Sequence, residues 1–335
     1  MSDAREGARP MSMRKQFVPV LKLAVTIAVL AFIVYRLGWQ QILLTLSRVR
    51  HLWLGGAVLL FVASGVLGAL QWRLLLSSKS VHLSFARALK VYFMGMFFNN
   101  FIFGTAAADS LRIAYVKIGQ AGGKAGFAAT FLDRFAGFMA LLGFAIFGSA
   151  VLLRQGLVAD RRLATALLAL AVTFCLFVGV SVFLISRRAQ RLLLWLLDRV
   201  PVPKREWIVS LVQQTMVGVE HRMMVFGVAV LATVIQLLRI GVHILCGGAL
   251  GVLTTQNFQY FFIFVPILAI FMLLPMPFGV REGVEGALFA LAGFRPEAAV
   301  VMGFLATLVS VVGSVPGGVF FVLTRARKAE NEHRP

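Results

Sequence analysis

Residues 98–123 read FNNFIFGTAAADSLRIAYVKIGQAGG, and residues 271–296 read FMLLPMPFGVREGVEGALFALAGFRP. Each stretch continues an apolar run, breaks, brings in an acid, and then leads into another long apolar run. The first breaks at Asn99, Asn100 and Gly104, and the second at Pro275, Pro277 and Gly279. Asp109 and Glu282 follow these breaks, 173 residues apart. Neither stretch reads as a plain spanning helix. Each reads as a hairpin that enters a membrane and returns, because irregular backbone at membrane depth is tolerated only inside protein or beside a watery cavity.

The rest of the chain supports a membrane setting. Of its 335 residues 60% are hydrophobic and only 14% charged, where a soluble domain carries about 25% charged residues. That balance excludes a soluble globular protein and a disordered one. A bilayer core takes about 20 apolar residues per helix. Runs of this kind cover 17–35, 52–71, 125–151, 163–186, 223–250 and 297–324. The first is too long for a signal-peptide core and lacks a small-x-small cleavage site, so it reads as a retained helix. The expected fold is an all-α polytopic membrane protein. It has six full transmembrane helices and two re-entrant broken-helix hairpins, about 88–111 and 259–293, in an inverted-repeat arrangement. Residues 17–324 form one transmembrane domain, flanked by polar tails at 1–16 and 325–335.

Charge sets the orientation. With the N-terminus in the cytoplasm, 22 of the 33 Lys and Arg fall in cytoplasmic segments and 8 in outside ones, as the positive-inside rule requires. Both termini are then cytoplasmic. Segment 187–222 mixes Arg with Leu and Trp and reads as a cytoplasmic amphipathic stretch. The five tryptophans, at 39, 53, 72, 195 and 207, fall at or beyond expected span ends, as interfacial anchors do. The net charge of +20 is read as orientation and contact with anionic lipid, not as nucleic-acid binding. Cys175 and Cys246 both sit in apolar runs, which leaves no disulfide framework and no cysteine metal site.

Charges inside spans need partners or a job, since each costs about 2.5–3.5 kcal/mol at the bilayer centre. Asp133 and Arg134 are adjacent in the run 125–151. They point about 100° apart on a helix and therefore reach different neighbours. In the run 223–250, Thr233, Gln236, Arg239 and His243 form a polar stripe. The guanidinium of Arg239 calls for a carboxylate or a phosphate. The hairpins add Asn99, Asn100 and Asp109 on one side, and Arg281, Glu282 and Glu285 on the other. These residues can line a wet groove for a substrate, or they can simply neutralise one another.

Here the residues carry a family likeness. NNFIFGTAAADSLRIAYV (99–116), followed by AATFLDRFAGFMALL (128–142), resembles the first signature of the lysylphosphatidylglycerol synthase transmembrane-region family. LLPMPFGVREGVEGALFALAGF (273–294) resembles its second. This is the flippase-like domain found in the N-terminal half of the multiple peptide resistance factor. The resemblance implies a bacterial inner-membrane lipid flippase that moves aminoacylated phosphatidylglycerol or a related polar lipid between leaflets. The matching positions are Asn99, Asn100, Asp109, Arg112, Asp133, Arg134, Arg281 and Glu282. The family's first turn is glycine-rich, whereas here it reads Phe103-Gly104-Thr105-Ala106-Ala107-Ala108.

Two other functions compete with flipping: a membrane-embedded transferase acting on a lipid-linked substrate, and a scaffold for a lipid-modifying enzyme. A transferase needs a nucleophile or a metal constellation. The five histidines, at 51, 82, 221, 243 and 333, show no ligand spacing, and there is no Gly-x-Ser-x-Gly elbow. No catalytic residue, metal or cofactor is therefore expected, and without a Walker motif ATP is not the direct driver. The expected partners are membrane phospholipids, together with a lipid-modifying enzyme or a second copy of the chain.

Overall fold

The computed structural model describes residues 35, 39–100, 105–118, 122–155, 161–186, 188, 191, 192, 195, 199, 205–215, 222–271 and 279–332. The expected first span, except Tyr35, and the breaks at 101–104 and 272–278 lie outside the described residues. The described residues are helical throughout apart from turns. The helices are α1 (Trp39–Ser47), α2 (His51–Ser77), α3 (Phe85–Phe98), α4 (Thr105–Ile118), α5 (Gly122–Arg154), α6 (Arg161–Ile185), α7 (Arg205–Thr215), α8 (Arg222–Ala249), α9 (Phe261–Phe271), α10 (Val280–Ala290) and α11 (Pro296–Glu332).

Four of these are long and apolar enough to cross a membrane: α2, α5, α8 and the Pro296–Thr324 part of α11. The chain is a multi-pass membrane protein. Helix α6 has 25 residues, of which Leu167–Val182 is the apolar part. Helix α11 continues to Glu332, past the tail boundary expected at 325. By contrast α3 and α4 have 14 residues each and α9 and α10 have 11. At 1.5 Å per residue these reach about 16–21 Å, short of the ~30 Å hydrocarbon core.

Local chemistry sets the ends of the short helices. Ser84 caps α3 by accepting the amide of Arg87, which satisfies one of the donors a helix start leaves open. The C-terminal end of α3 widens into a π-type turn at Asn99 and Asn100, a distortion that occurs mostly at functional sites. Helix α10 starts from Gly279 at φ 90, a left-handed conformation that suits glycine. The side chain of Glu282 then reaches back to accept the Gly279 amide at 2.7 Å. Gly293, at φ 79, turns the chain out of α10, and Pro296 opens α11 at a position where a missing N–H costs nothing.

The helices pack in a reciprocal pattern. Helix α4 lies on the long helix that follows it, α5, and α10 likewise lies on α11. The first short helix of each set crosses to the other set: α3 packs on α11, and α9 packs on α5. Small residues make both crossings possible. A Cβ added at Gly148 on α5 would meet Ile263 and Phe262 of the α9 region at 3.0 Å. One added at Gly317 on α11 would overlap the backbone carbonyl of Phe93 on α3. Helices α2 and α8 form a second framework pair, with the ring of Trp53 lying over Gly248.

Two apolar clusters fill the interior. One centres on aromatic rings, with Phe289 against Phe261, Phe264 and Phe294 and Phe261 against Phe294, centroids 4.8–6.0 Å apart. The other joins α2, α3, α4 and α5 around Trp72, Tyr92, Val116 and Ala129. Trp72 corrects its expected role as an interfacial anchor. Helix α2 runs six residues beyond the expected span end at 71, and this carries the indole into the core at 0% exposure. There its Nε1 donates to Thr130 Oγ1 at 3.3 Å. A buried indole N–H needs a partner of this kind.

The crossing at Gly317 yields a direct test. Gly317→Ala places a methyl against backbone that no rotamer change can move, and it should cost about 1–3 kcal/mol, read as a lowered Tm in detergent. Gly55→Ala, where an added Cβ meets nothing within 4 Å, should leave Tm unchanged or raise it slightly.

Candidate functional site

The polar residues of α2, α4 and α5 form one network. Arg134 on α5 holds Asp109 of α4 through both carboxylate oxygens: Nη2 to Oδ1 at 2.8 Å, and Nε to Oδ2 and Oδ1 at 3.1 and 3.2 Å. One residue earlier, Asp133 accepts from Arg112 Nη1 at 3.2 Å and from Gln71 Nε2 at 2.8 Å. The neighbours on α5 thus serve different partners, as the ~100° step of a helix dictates. Arg112 also lies over the ring of Tyr92, 3.9 Å from its centroid, a contact that suits a desolvated guanidinium. Arg112 is 2% exposed and Asp133 7%, whereas the Asp109–Arg134 side chains retain 24% and 30%.

A second network lies at α8, α10 and α11. Thr307 Oγ1 donates to Glu282 Oε1 at 2.6 Å, and the other oxygen of Glu282 takes the Gly279 amide. Glu285 Oε1 lies 2.8 Å from His243 Nδ1. Both glutamates are 0% exposed. Gly303 on α11 lets α10 come this close: an added Cβ would meet Glu285 Oε2 at 3.1 Å and Glu282 Cα at 3.2 Å.

The two networks correspond in sequence. Asp109 and Arg134 are 25 residues apart, as are Glu282 and Thr307. Adding the 173-residue offset carries Asp109 to Glu282 and Arg134 to Thr307. In each set the acid on the second short helix holds a residue on the long helix that follows.

Between the networks lies a cavity of about 210 Å³. Its polar wall comprises Gln71, Asn99, Asn100, Arg112, Asp133, Arg134, Gln236, Arg239, His243, Arg281 and Ser310. Asn100 is clamped to α11, donating to Ser310 O and Ser314 Oγ at 3.0 Å and accepting from Ser310 Oγ at 3.2 Å. Among the described residues Arg239 and Arg281 have no carboxylate partner. Among the described residues the Nε of Arg281 and the Oε2 of Glu285 are buried with no hydrogen bond. Across α5 lies a larger apolar cavity of about 750 Å³, lined by residues of α2, α5, α6 and α8 together with Phe262. Asp133, Arg134, Gly137, Phe138 and Leu141 of α5 face the polar cavity, and Leu132, Phe135, Ala136, Met139, Ala140 and Gly143 face the apolar one.

Of the residues singled out from sequence, Asn99, Asn100, Arg112, Asp133, Arg134, Gln236, Arg239, His243 and Arg281 line the polar cavity. Asp109 reaches it by holding Arg134, and Glu285 by holding His243. Glu282 faces Thr307 and its own helix start instead. The polar stripe on α8 is shorter than expected. Thr233 lines the apolar cavity and bonds back to Ala229 O at 2.8 Å. Six residues separate it from Arg239, which puts the two about 120° apart around the helix. Sequence reading missed Gln71, Tyr92, Thr307, Ser310 and Ser314. The signal was present for the last three, which recur at spacings of three and four on an apolar helix. Among the described residues no group of three or more His, Cys, Asp or Glu is placed to hold a metal ion.

Fold and site together define a polytopic helical membrane protein with a charged cavity among its helices. The chain belongs to the family described as the lysylphosphatidylglycerol synthase TM region, whose model matches residues 20–317. That membership ties it to a membrane-lipid function. No curated protein and no solved structure matches it.

The difference in burial between the two ion pairs generates a prediction. Asp133→Asn takes the nearer counter-charge from the buried guanidinium of Arg112, leaving it Asp109 at 4.0 Å, and should cost about 3 kcal/mol. Asp109→Asn, in the more exposed pair, should cost less. The Tm values of the two variants in one detergent check the order, and Asp133→Asn combined with Arg112→Met should recover much of the loss.

Proposed function

We propose that the protein is a lipid flippase that carries a phospholipid headgroup between the leaflets of a bacterial inner membrane. The observation that carries this reading is the pair of cavities on opposite faces of α5, one walled by arginines and amides and one by apolar side chains. A phospholipid has these same two parts. Its head crosses ~30 Å of hydrocarbon only slowly, because its charges lose their water without compensation. Guanidinium groups replace that water for a phosphate, with two donors in a planar fork. Asn99 and Gln236 add neutral donors and acceptors to the same wall. The acyl chains stay in apolar surroundings along the other face of α5.

The reading includes six spans, re-entrant hairpins at the two breaks and cytoplasmic termini. The short helices, their reciprocal packing and the 173-residue correspondence of the acid contacts all support an inverted repeat. Secondary transporters with discontinuous helices bind their substrates where such repeats meet. Membrane phospholipids are the partners. A lipid-modifying enzyme would supply the substrate, and a second copy of the chain would complete an oligomer.

The test is reconstitution into vesicles with acyl-labelled fluorescent phospholipids, followed by chemical quenching of the outer leaflet. The wild-type protein should expose inner-leaflet label that protein-free vesicles protect. Arg239→Gln, which breaks no ion pair among the described residues, should keep its Tm and lose flipping by about tenfold or more. Equal quenching with and without wild-type protein, or full-rate flipping by Arg239→Gln, would contradict the reading.

A further inference from the structure

The acids of the site are held in different ways. Asp109 and Asp133 each face an arginine, Arg134 and Arg112, and arginine stays charged at any working pH. Glu282 takes a donor on each oxygen, the Thr307 hydroxyl and the Gly279 amide, and so is satisfied as an anion. Glu285, one turn further along α10, is held otherwise. Its Oε1 lies 2.8 Å from His243 Nδ1, and its Oε2 is buried with no hydrogen bond among the described residues. Of these four acids it alone is paired there with a side chain of the kind that gains and loses a proton near neutral pH. A fully buried carboxylate with an unserved oxygen is costly as a lone anion. One proton added to the neutral imidazole or to the carboxylate leaves the pair with no net charge.

The pair also has a route to water. His243 lines the polar cavity and keeps 11% of its side chain exposed, while Glu285 behind it has 0%. Three other lining residues carry buried polar atoms that no described group satisfies: Gln71 Oε1, Arg112 Nε and Arg281 Nε. A polar cavity of about 210 Å³ has room for waters that serve them. Arg239 stands one turn before His243 on α8, and Arg281 one turn before Glu285 on α10. Residues four apart share a helix face, so a phosphate held by either arginine rests about one turn from the pair. The other ionisable groups on these two helices are Arg222 at the start of α8, the buried Cys246, and Glu282. From α5 come Asp133 and Arg134, already paired with Arg112 and Asp109 of α4. Helix α9 has no ionisable side chain, and those of α2 and α11 stand toward their ends, at His51, Arg73, Glu297 and from Arg325 on.

We infer that the His243–Glu285 pair is a proton-binding site and that the protein moves a proton together with the phospholipid headgroup. This deepens the flippase reading and rests on it for the lipid. Acid and histidine side chains inside membrane helices commonly serve as proton carriers in transporters. The phosphate, at Arg239 or Arg281, and the proton, at the pair, are opposite charges about one helical turn apart, so each favours the binding of the other, and the coupling is reciprocal. The proton is taken from water when the cavity faces one side of the membrane and returned to water when it faces the other. A proton gradient then drives the lipid toward the alkaline side.

Proton uptake and lipid movement are measured separately, so that the two readings fail separately. Purified full-length protein in weakly buffered neutral detergent, with a pH-indicator dye, is mixed with dihexanoyl phosphatidylglycerol at pH values from about 5 to 8. Lipid addition should draw protons from solution onto the wild-type protein. His243→Gln, which keeps a donor for Glu285 and cannot titrate, should abolish the uptake, as should Glu285→Gln. The exposed His82 controls for histidine elsewhere, and His82→Gln should leave the uptake intact. In vesicles carrying a labelled phospholipid, with the membrane potential clamped, a pH gradient should enrich label in the alkaline leaflet, by at most about tenfold per pH unit. His243→Gln should return the label to an even distribution. If Glu285→Gln fails to fold, His243→Gln and the two wild-type measurements decide. Wild-type protein that takes up no proton with lipid overturns the proposal, as does uptake that survives in folded His243→Gln or is lost equally in His82→Gln. Flipping that ignores the gradient, without uptake, removes this proposal and leaves the flippase reading. Uptake that depends on His243, with no flipping of any lipid, removes the flippase reading and leaves the proton site standing.

Discussion

A carboxylate buried among helices needs hydrogen-bond donors, and a short helix that carries one is held where those donors wait. This constraint organises the structure. Asp109 on α4 is met by Arg134 on α5, and Glu282 on α10 by Thr307 on α11, across the same interval of 25 residues. Each contact fastens a helix too short to span the membrane to the long helix after it. The opposite short helices, α3 and α9, then close the arrangement by packing on the other set's long helix. The cavity is the space that remains where these pieces meet, so its charged wall follows from the same contacts that hold the fold.

Burial divides labour among the arginines. Arg112 is almost fully enclosed between Asp133 and Tyr92, where removing a partner is expensive. Arg134 is half-open, and Arg239 and Arg281 have no carboxylate among the described residues. The sequence of four runs from structural ion pair to unsatisfied cation.

Much of this was legible in the sequence for definite reasons. Apolar runs of membrane length located α2, α5, α8 and α11. The breaks at the Asn pair and at the Pro/Gly turn marked the short helices, and the intramembrane charges named most of the cavity wall. Other features could not be read because the sequence is silent about neighbours. Gln71 is a single polar residue in a long apolar helix, and nothing local says that it faces Asp133. Trp72 has the composition of an anchor and the position of a core residue, and helix length alone decides between them. Ser310 and Ser314 bond to their own helix as well as to Asn100, so their spacing alone does not reveal a tertiary role. Thr233 looked continuous with the α8 stripe because each spacing of three is a near neighbour, but two in succession turn about 120° around the helix.

The central claim is that the two broken-helix sets meet inside the membrane, with their acids at similar depth and opposite orientation. Spin labels at Ser110 on α4 and Gly283 on α10, in protein reconstituted into lipid bilayers, measure this through their separation and through their accessibility to oxygen and to a water-soluble nickel relaxant. The account expects both labels well below the lipid headgroups and much closer together than a membrane thickness of ~30 Å. Labels at opposite surfaces, or about 30 Å apart, would contradict it.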